Sequence, residues 1–366
     1  MFYSCMQISS LYRCNNIQFK GHEAKRLDAL IVQNRRHCPD VIFEQLNNIA
    51  MQHKLRIVRD QKGSQTWLQD LLVVTPDKKA FGYLSDSEYL ASACEFEPLN
   101  EDNILNHKYN ASEGGNIFYV TNKDGEQVLI YSKDSLTDSL MGLEKEFNVS
   151  KIIELPKVDY HTDLFITPIG DNKILVANDT MMIAEIIKMS EKISAFIDQF
   201  PNDVDVPKLK EIQKNILQLG VEFNQNRKNF SNKGAEEIVA QKLRNEGFEI
   251  IEVPSRLYEC NPNTSEILRN RKLNYSNAVT FKNDNNEVVY IAGKSHIDDE
   301  MGITEEISKK VGIGFEKAFR DSISAHIKPE NIYFINGSDK EPLSDVLYKY
   351  DGGLHCMCVE VPAKEE

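Results

Sequence analysis

DALIVQNRRHCPDVIFEQLNNIAMQHKLRIVRD, residues 28–60, reads as strand, helix, strand. DALIVQN (28–34) is an apolar core bounded by polar residues, the pattern of a buried strand. PDVIFEQLNNIAMQHK (39–54) carries apolar residues at helical spacing, with Pro39 where a first turn tolerates proline. LRIVRD (55–60) is short and extended. The same order returns downstream. GAEEIVAQKLRNEGFEIIEVP (234–254) predicts a helix that stops at Gly247 and runs into a strand, and residues 303–337 predict helix followed by strand. By eye there are about five such units, although no sequence period marks them as repeats. The fold class this implies is α/β.

Between Glu113 and Asn178 the chain predicts short strands and turns: NIFYV, a hairpin at NKDGEQ, VLIYS, LFITPI and KILVAN. Two helical runs fill roughly 181–223. They hold none of the chemically suggestive motifs and read as a helical insertion or lid, a coiled hairpin being the plain alternative. No low-complexity linker cuts the chain, so residues 1–366 are expected to form one compact α/β domain.

Composition narrows the classes. Of 366 residues, 41% are hydrophobic and 27% charged, enough for a core and against disorder. No apolar run approaches the ~20 residues a membrane span needs. The N-terminus lacks the apolar stretch and cleavage site of a secretory signal. Seven scattered cysteines (Cys5, Cys14, Cys38, Cys94, Cys260, Cys356 and Cys358) do not look like a disulfide framework, so a reducing, cytoplasmic setting is expected. The net charge of −13 argues against a nucleic-acid partner and suits a cationic ligand.

Four short motifs invite chemistry. DGGLHCMCVEVP (351–362) puts Cys356 behind two glycines, which let backbone approach a ligand closely. A zinc finger would need a second Cys/His pair at finger spacing, and a redox pair has two intervening residues rather than one. Most free cysteines are simply buried. In LPKVDYHTDLFITPIG (155–170), His161 and Asp163 would share one face of an extended segment. His296 and Asp298 in GKSHIDDEMG repeat that spacing. In TWLQDLLVV (66–74) the only tryptophan, Trp67, precedes Asp70, and in SEGGNIFYV (112–120) Glu113 precedes two glycines and a strand. Taken singly, each has a bland reading: a core Trp, a bulge, a chance His–Asp pair.

In this order, W-x-x-D, E-G-G-N, H-x-D and G-G-x-H-C, the motifs resemble the pentein superfamily of guanidine-modifying enzymes over roughly 28–362. The Trp67–Asp70 run looks most like protein-arginine deiminases, and the Glu113 segment and the C-terminal Cys motif look more like agmatine and arginine deiminases. The resemblance implies a five-bladed, pseudo-fivefold α/β propeller with a helical insertion. It selects His161 over His296, leaving His296 a gating or substrate-rim role. Asn116 stands where free-arginine deiminases usually carry Asp, and Cys358 where Thr or Ser is common.

What the resemblance implies for the site is specific. Asp70 and Asp163 would grip the N–H groups of a planar guanidinium through charge-assisted hydrogen bonds, with Glu113 a third acidic contact and Trp67 packing on the substrate. Cys356 would attack the central carbon, and His161 would protonate the leaving amine and then activate water. His355, next to the nucleophile, is expected to face away as a packing residue. No metal or organic cofactor is required. The expected substrate is a cationic guanidino compound: protein arginine, arginine or agmatine. Amidinotransfer, or a non-catalytic binding protein of the same fold, are the alternatives.

Overall fold

The computed structural model describes residues 24–34, 38–60, 117–132, 149–159, 161–229, 234–259, 273–337 and 353–363. It adds the short pieces 72–74, 79–82 and 97–98 and the single residues Leu68, Cys94 and Glu144. Trp67, Asp70, Glu113 and Asn116 lie outside the described residues.

The opening unit folds as its sequence predicts. Strand β1 (Leu27–Val32) leads into helix α1 (Asp40–Gln52) and strand β2 (Arg56–Arg59), which lies parallel to β1. Strands β3 (Leu72–Val74), β4 (Lys79–Gly82) and β5 (Glu97–Pro98) form a second sheet, and β6 (Ile117–Thr121), β7 (Gln127–Ser132) and β8 (Lys151–Leu155) a third. Strands β9 (Ile166–Gly170), β10 (Lys173–Ala177) and β11 (Glu249–Val253) make a fourth. After the short pair β12 (Arg256–Leu257) and β13 (Leu273–Asn274) come β14 (Ala278–Lys282), β15 (Val288–Gly293) and β16 (Ile332–Ile335). The last strand, β17 (Cys358–Pro362), returns to pair antiparallel with β1.

One topology therefore recurs in five three-stranded sheets among the described residues. In each, the middle strand is antiparallel to one neighbour and parallel to the other. The physical reason is connection length. An antiparallel partner is reached by a tight turn, whereas a parallel one needs a crossover, usually a helix. The turns show the first case. Asn122 Oδ1 accepts the backbone N–H of Asp124 and Glu126 between β6 and β7, and Asn283 Oδ1 accepts those of Asn285 and Glu287 between β14 and β15. Each is the side-chain turn that Asn favours. Gly125 and Asn286 take the positive φ these loops require, 78° and 59°.

Helices α2 (Asp179–Gln199), α3 (Val206–Asn229) and α4 (Ala235–Asn245) connect β10 to β11. Helix α4 packs on both strands. The helices read from the sequence as 181–223 thus begin two residues earlier and end later, with Asn178 capping α2 through Met181 N–H at 3.0 Å. Met182, Ile186, Met189 and Ile193 of α2 meet Leu209, Ile212, Ile216 and Phe223 of α3 inside the largest apolar cluster. That cluster also takes in Tyr290 and Phe319. Between β15 and β16 lie α5 (Ile297–Glu300), α6 (Glu305–Val311) and α7 (Phe315–Ile323). A second cluster joins α1 to the sheets of β1 and β15, and a third joins the sheets of β7 and β10 beneath α4. No described helix is long and apolar enough to cross a membrane.

Candidate active site

Three short segments converge. The first is the 3₁₀ turn Thr162–Leu164 that leads into β9, with His161 at its N-terminal edge. The second is the loop Asn274–Ala278 between β13 and β14. The third is the 3₁₀ turn His355–Met357 just before β17. All three are backbone entering a strand, where side chains leave the ladder and point at a common space.

His161 is extended as its motif predicts, but Asp163 lies in a 3₁₀ turn rather than an extended segment, as does Cys356, and the structure still brings the three residues together. One ligand atom each from His161, Asp163 and Cys356 lies within 4.8 Å of the others, and all three residues are buried. Cys356 Sγ is 3.7 Å from Asp163 Oδ2 and 3.4 Å from Asn277 Nδ2. Among the described residues, Asp163 Oδ1 is buried with no hydrogen-bond partner. Leaving a buried acceptor unmet is costly unless something else fills it.

His355 does not face away, as adjacency to Cys356 suggested. It is buried and stacks on Phe118, with ring planes 9° apart. Its Nδ1 lies 3.0 Å from Asp163 Oδ2 and its Nε2 3.1 Å from Glu360 Oε1. Burial alone would drive the imidazole towards neutrality. The Glu360 charge and the hydrogen bonds to Asp163 and Glu360 outweigh it, carrying the pKa from 6.5 to about 10. The position between Asp163 and Glu360 therefore favours the imidazolium form of His355.

Neighbouring residues fix the frame. Arg256 is fully buried and grips Asp179 with two hydrogen bonds, at 2.8 and 3.2 Å, while lying 3.8 Å from Asp159 and 3.8 Å from Glu236. Burial works against its charge, but Asp179 and Tyr258 hold it protonated. Asp159 is two residues from His161, so this cluster anchors the approach to the site. The rival motif makes contacts of its own. Asp298 accepts the N–H groups of Phe315 and Glu316 at the start of α7, at 2.8 and 3.2 Å, and His296 lies 3.5 Å from Asp299. Cys358, two residues past Cys356, belongs to the apolar cluster under α1, and burial raises its thiol well above the usual range.

Sequence reasoning missed Asn277, His355, Glu360 and Arg256. Asn277 and Asp163 reach His355 across 78 and 192 positions of sequence, and no motif marks Asn277 or Glu360. A buried arginine in a strand is the one signal that hydropathy could have flagged.

An N, an O and an S donor this close together also suit a divalent metal such as zinc. Chemically the site joins a thiol, an imidazole and an open carboxylate oxygen, the makings of nucleophilic attack on a cationic centre. No family model and no curated protein matches the sequence. Among solved structures, the chain is similar to an arginine dihydrolase of the ornithine-ammonia cycle in cyanobacteria (12% identity, TM-score 0.42), covering 92% of this chain. This chain spans 40% of that enzyme's length. It is also similar to a protein provisionally named a peptidyl-arginine deiminase (12% identity, TM-score 0.46, 95% of this chain and 99% of the other). A citrulline complex of a variant dimethylarginine dimethylaminohydrolase from Pseudomonas aeruginosa gives 10% identity and a TM-score of 0.39, over 91% of this chain and 99% of the other.

Proposed function

We propose that the protein is a guanidine hydrolase, a deiminase that converts an arginine-type guanidinium to a ureido group and ammonia. The observation that carries this reading is the open Asp163 Oδ1, buried beside Cys356 Sγ and the His161 ring. A guanidinium offers planar, charged N–H donors, and a carboxylate oxygen held by an imidazolium on its other side is preset to receive them. Asp70 and Glu113 supply the further acidic contacts and Trp67 the packing surface, with His296 at the rim.

In the first step the Cys356 thiolate bonds to the central carbon and its C–N bond breaks. His161 gives the departing nitrogen a proton, so ammonia leaves a covalent thiouronium. Water then attacks the same carbon, His161 takes its proton, and the C–S bond breaks to release ureido product and restore the thiolate. Asp163 holds the plane throughout. The remaining hydroxyl proton is lost as the carbonyl forms and is taken up by the released ammonia. Guanidinium and water thus give ureido product and ammonium, His161 ends as it began, and no cofactor enters the balance.

The five like sheets are, in the same reading, the five blades of a propeller in one catalytic domain. Supporting this, β17 touches β3, β6 touches β9 and β9 touches β14, a succession from blade to blade. Helices α2 and α3 are the insertion, since α4 already provides the crossover of its sheet.

Incubation with arginine, agmatine and an arginine-containing peptide, followed by colorimetric detection of ureido product, tests the function. The peptide is the favoured substrate, on the likeness of the Trp67–Asp70 run. Product from none of them, but transfer of the amidino group to an added amine, would make the protein an amidinotransferase. A second reading, a metal site, is favoured by the donor set of His161, Asp163 and Cys356. Stoichiometric zinc in the purified protein, lost with Cys356→Ala, would support it instead.

A further inference from the structure

The geometry points to Asn277 as a catalytic residue: its side-chain amide donates to Cys356 Sγ and holds that sulfur as a thiolate. This rests on Cys356 being the nucleophile of the proposed reaction, but its evidence is independent of substrate.

Two neighbours act on the sulfur in opposite senses. Asp163 Oδ2, at 3.7 Å, favours a proton on sulfur, because a carboxylate repels a thiolate and accepts from a thiol. Asn277 Nδ2, at 3.4 Å, favours the anion, because a donor amide stabilises charge on its acceptor. Among the described residues His355 and His161 also lie around this point, and His355 is engaged by Asp163 and Glu360. The amide is a neutral donor, and its hydrogen bond favours the sulfur's reactive form.

Its orientation is not arbitrary. The backbone N–H of His355 donates to Asn277 Oδ1 at 2.8 Å, so the oxygen must lie on that side and the NH₂ must face sulfur. The residue after that N–H is Cys356 itself, so one side chain binds both the nucleophile's backbone neighbour and its sulfur. The backbone of Asn277 is pinned in turn: its N–H donates to Asn274 Oδ1 at 3.2 Å, and Asn274 Nδ2 donates to Leu164 O at 3.2 Å. Thr167 donates to Ser276 O at 2.5 Å, tying the same loop to β9. Sulfur, amide and Asp163 turn are thereby held in one frame.

Gly353 explains how the chain can pass. A Cβ at this position would lie 2.0 Å from Asn277 Oδ1 and 2.2 Å from its Cγ, far inside contact distance. The second glycine of the Gly-Gly pair is thus there for the amide, not for φ.

The test reads the thiol directly. The pH dependence of alkylation by iodoacetamide, with the label assigned to Cys356 rather than Cys358 by tandem mass spectrometry, gives the Cys356 pKa without any turnover. Asn277→Ala removes the donor to sulfur and the acceptor for His355 N–H, and Asn277→Leu does the same at nearly unchanged volume, neither adding a charge. Each is expected to raise the thiol pKa by roughly one to two pH units, as loss of a hydrogen bond to a charged group implies. Gly353→Ala, which pushes the amide aside while leaving Asn277 in the sequence, is expected to do the same. In the unaltered protein the Asn277 side-chain amide resonance should titrate with the Cys356 pKa, which keeps the test decisive if the variants fold poorly. An unchanged thiol pKa in a folded variant, or an amide resonance flat through that titration, overturns the proposal. A shifted pKa in a protein that makes no ureido product upholds Asn277 and removes the guanidine reading. Turnover with an unmoved pKa does the reverse.

Discussion

His355 shows how one buried ring can set the charge state of a site. Held between Asp163 and Glu360, its pKa stands at about 10 against 6.5 unfolded. The stability it contributes is therefore complete below pH 6.5 and falls away as pH rises through about 10. Thermal melts across pH 6 to 11 should show that loss, and His355→Gln should flatten it. Removing the charge also strands two buried carboxylates, which costs about 3–5 kcal/mol in comparable ion pairs, measurable by urea unfolding. Cys356 offers a sharper contrast. Cys356→Ala should lower ureido formation at least ~10³-fold, as removal of a covalent nucleophile does, while Cys358→Ala, in the apolar cluster, should leave turnover near normal. The motif containing Cys356 was legible because two glycines just before it let backbone approach a ligand closely. His355 was not, because nothing local reveals that Asp163 waits 192 positions away in sequence.

At the scale of elements, the strands and helices were the most legible part of the sequence. The unit at 28–60 folds as its hydrophobic pattern predicts because its strand is buried on both faces and its helix on one. A repeat was there to be read as well. Asn-Lys-Asp-Gly-Glu at 122–126 and Asn-Asp-Asn-Asn-Glu at 283–287 build the same turn with the same side-chain bonds. The signal is five residues long, too short for a search for periodicity. Its energetic weight is local: Asn122→Ala should cost about 1 kcal/mol, the worth of a typical net hydrogen bond, with no effect on the site. Arg256 differs, because it joins β12 to the N-terminal turns of α2 and α4 and to the segment before His161. Arg256→Met should destabilise by several kcal/mol (about 3–5) and should lower kcat, as the His161 segment loses its anchor.

Across the whole molecule, the five sheets share one strand order although the chain shows no sequence period. The rule is physical: a tight turn serves the antiparallel pairs β6–β7, β9–β10 and β14–β15, and a parallel partner needs a crossover. Strand β1 takes its antiparallel partner from β17 instead. Many sequences meet that rule, so topology repeats where residues do not. One sheet is made from distant parts of the chain, β1 near residue 30 and β17 near residue 360. Ending the chain at Met357 would strip β1 of its antiparallel partner, and we expect loss of the cooperative unfolding transition by circular dichroism. The same pairing seats Cys356 two residues before β17, beside the turn that carries Asp163. Site and fold are thus closed by the same strand; Cys356, His161 and Asp163 were legible as motifs, whereas Asn277 and Glu360 were not, because no motif marks them.

The account stands or falls on a covalent bond at Cys356. Acid-quenching the protein during reaction with an arginine-containing peptide, with free arginine and with agmatine, then measuring intact mass and mapping the adduct, examines it directly. The prediction is an added mass equal to the guanidino substrate less ammonia, carried by the peptide containing Cys356 and absent from Cys356→Ala. Ureido product formed at an undiminished rate by Cys356→Ala, or an adduct mapped to another residue, would contradict it.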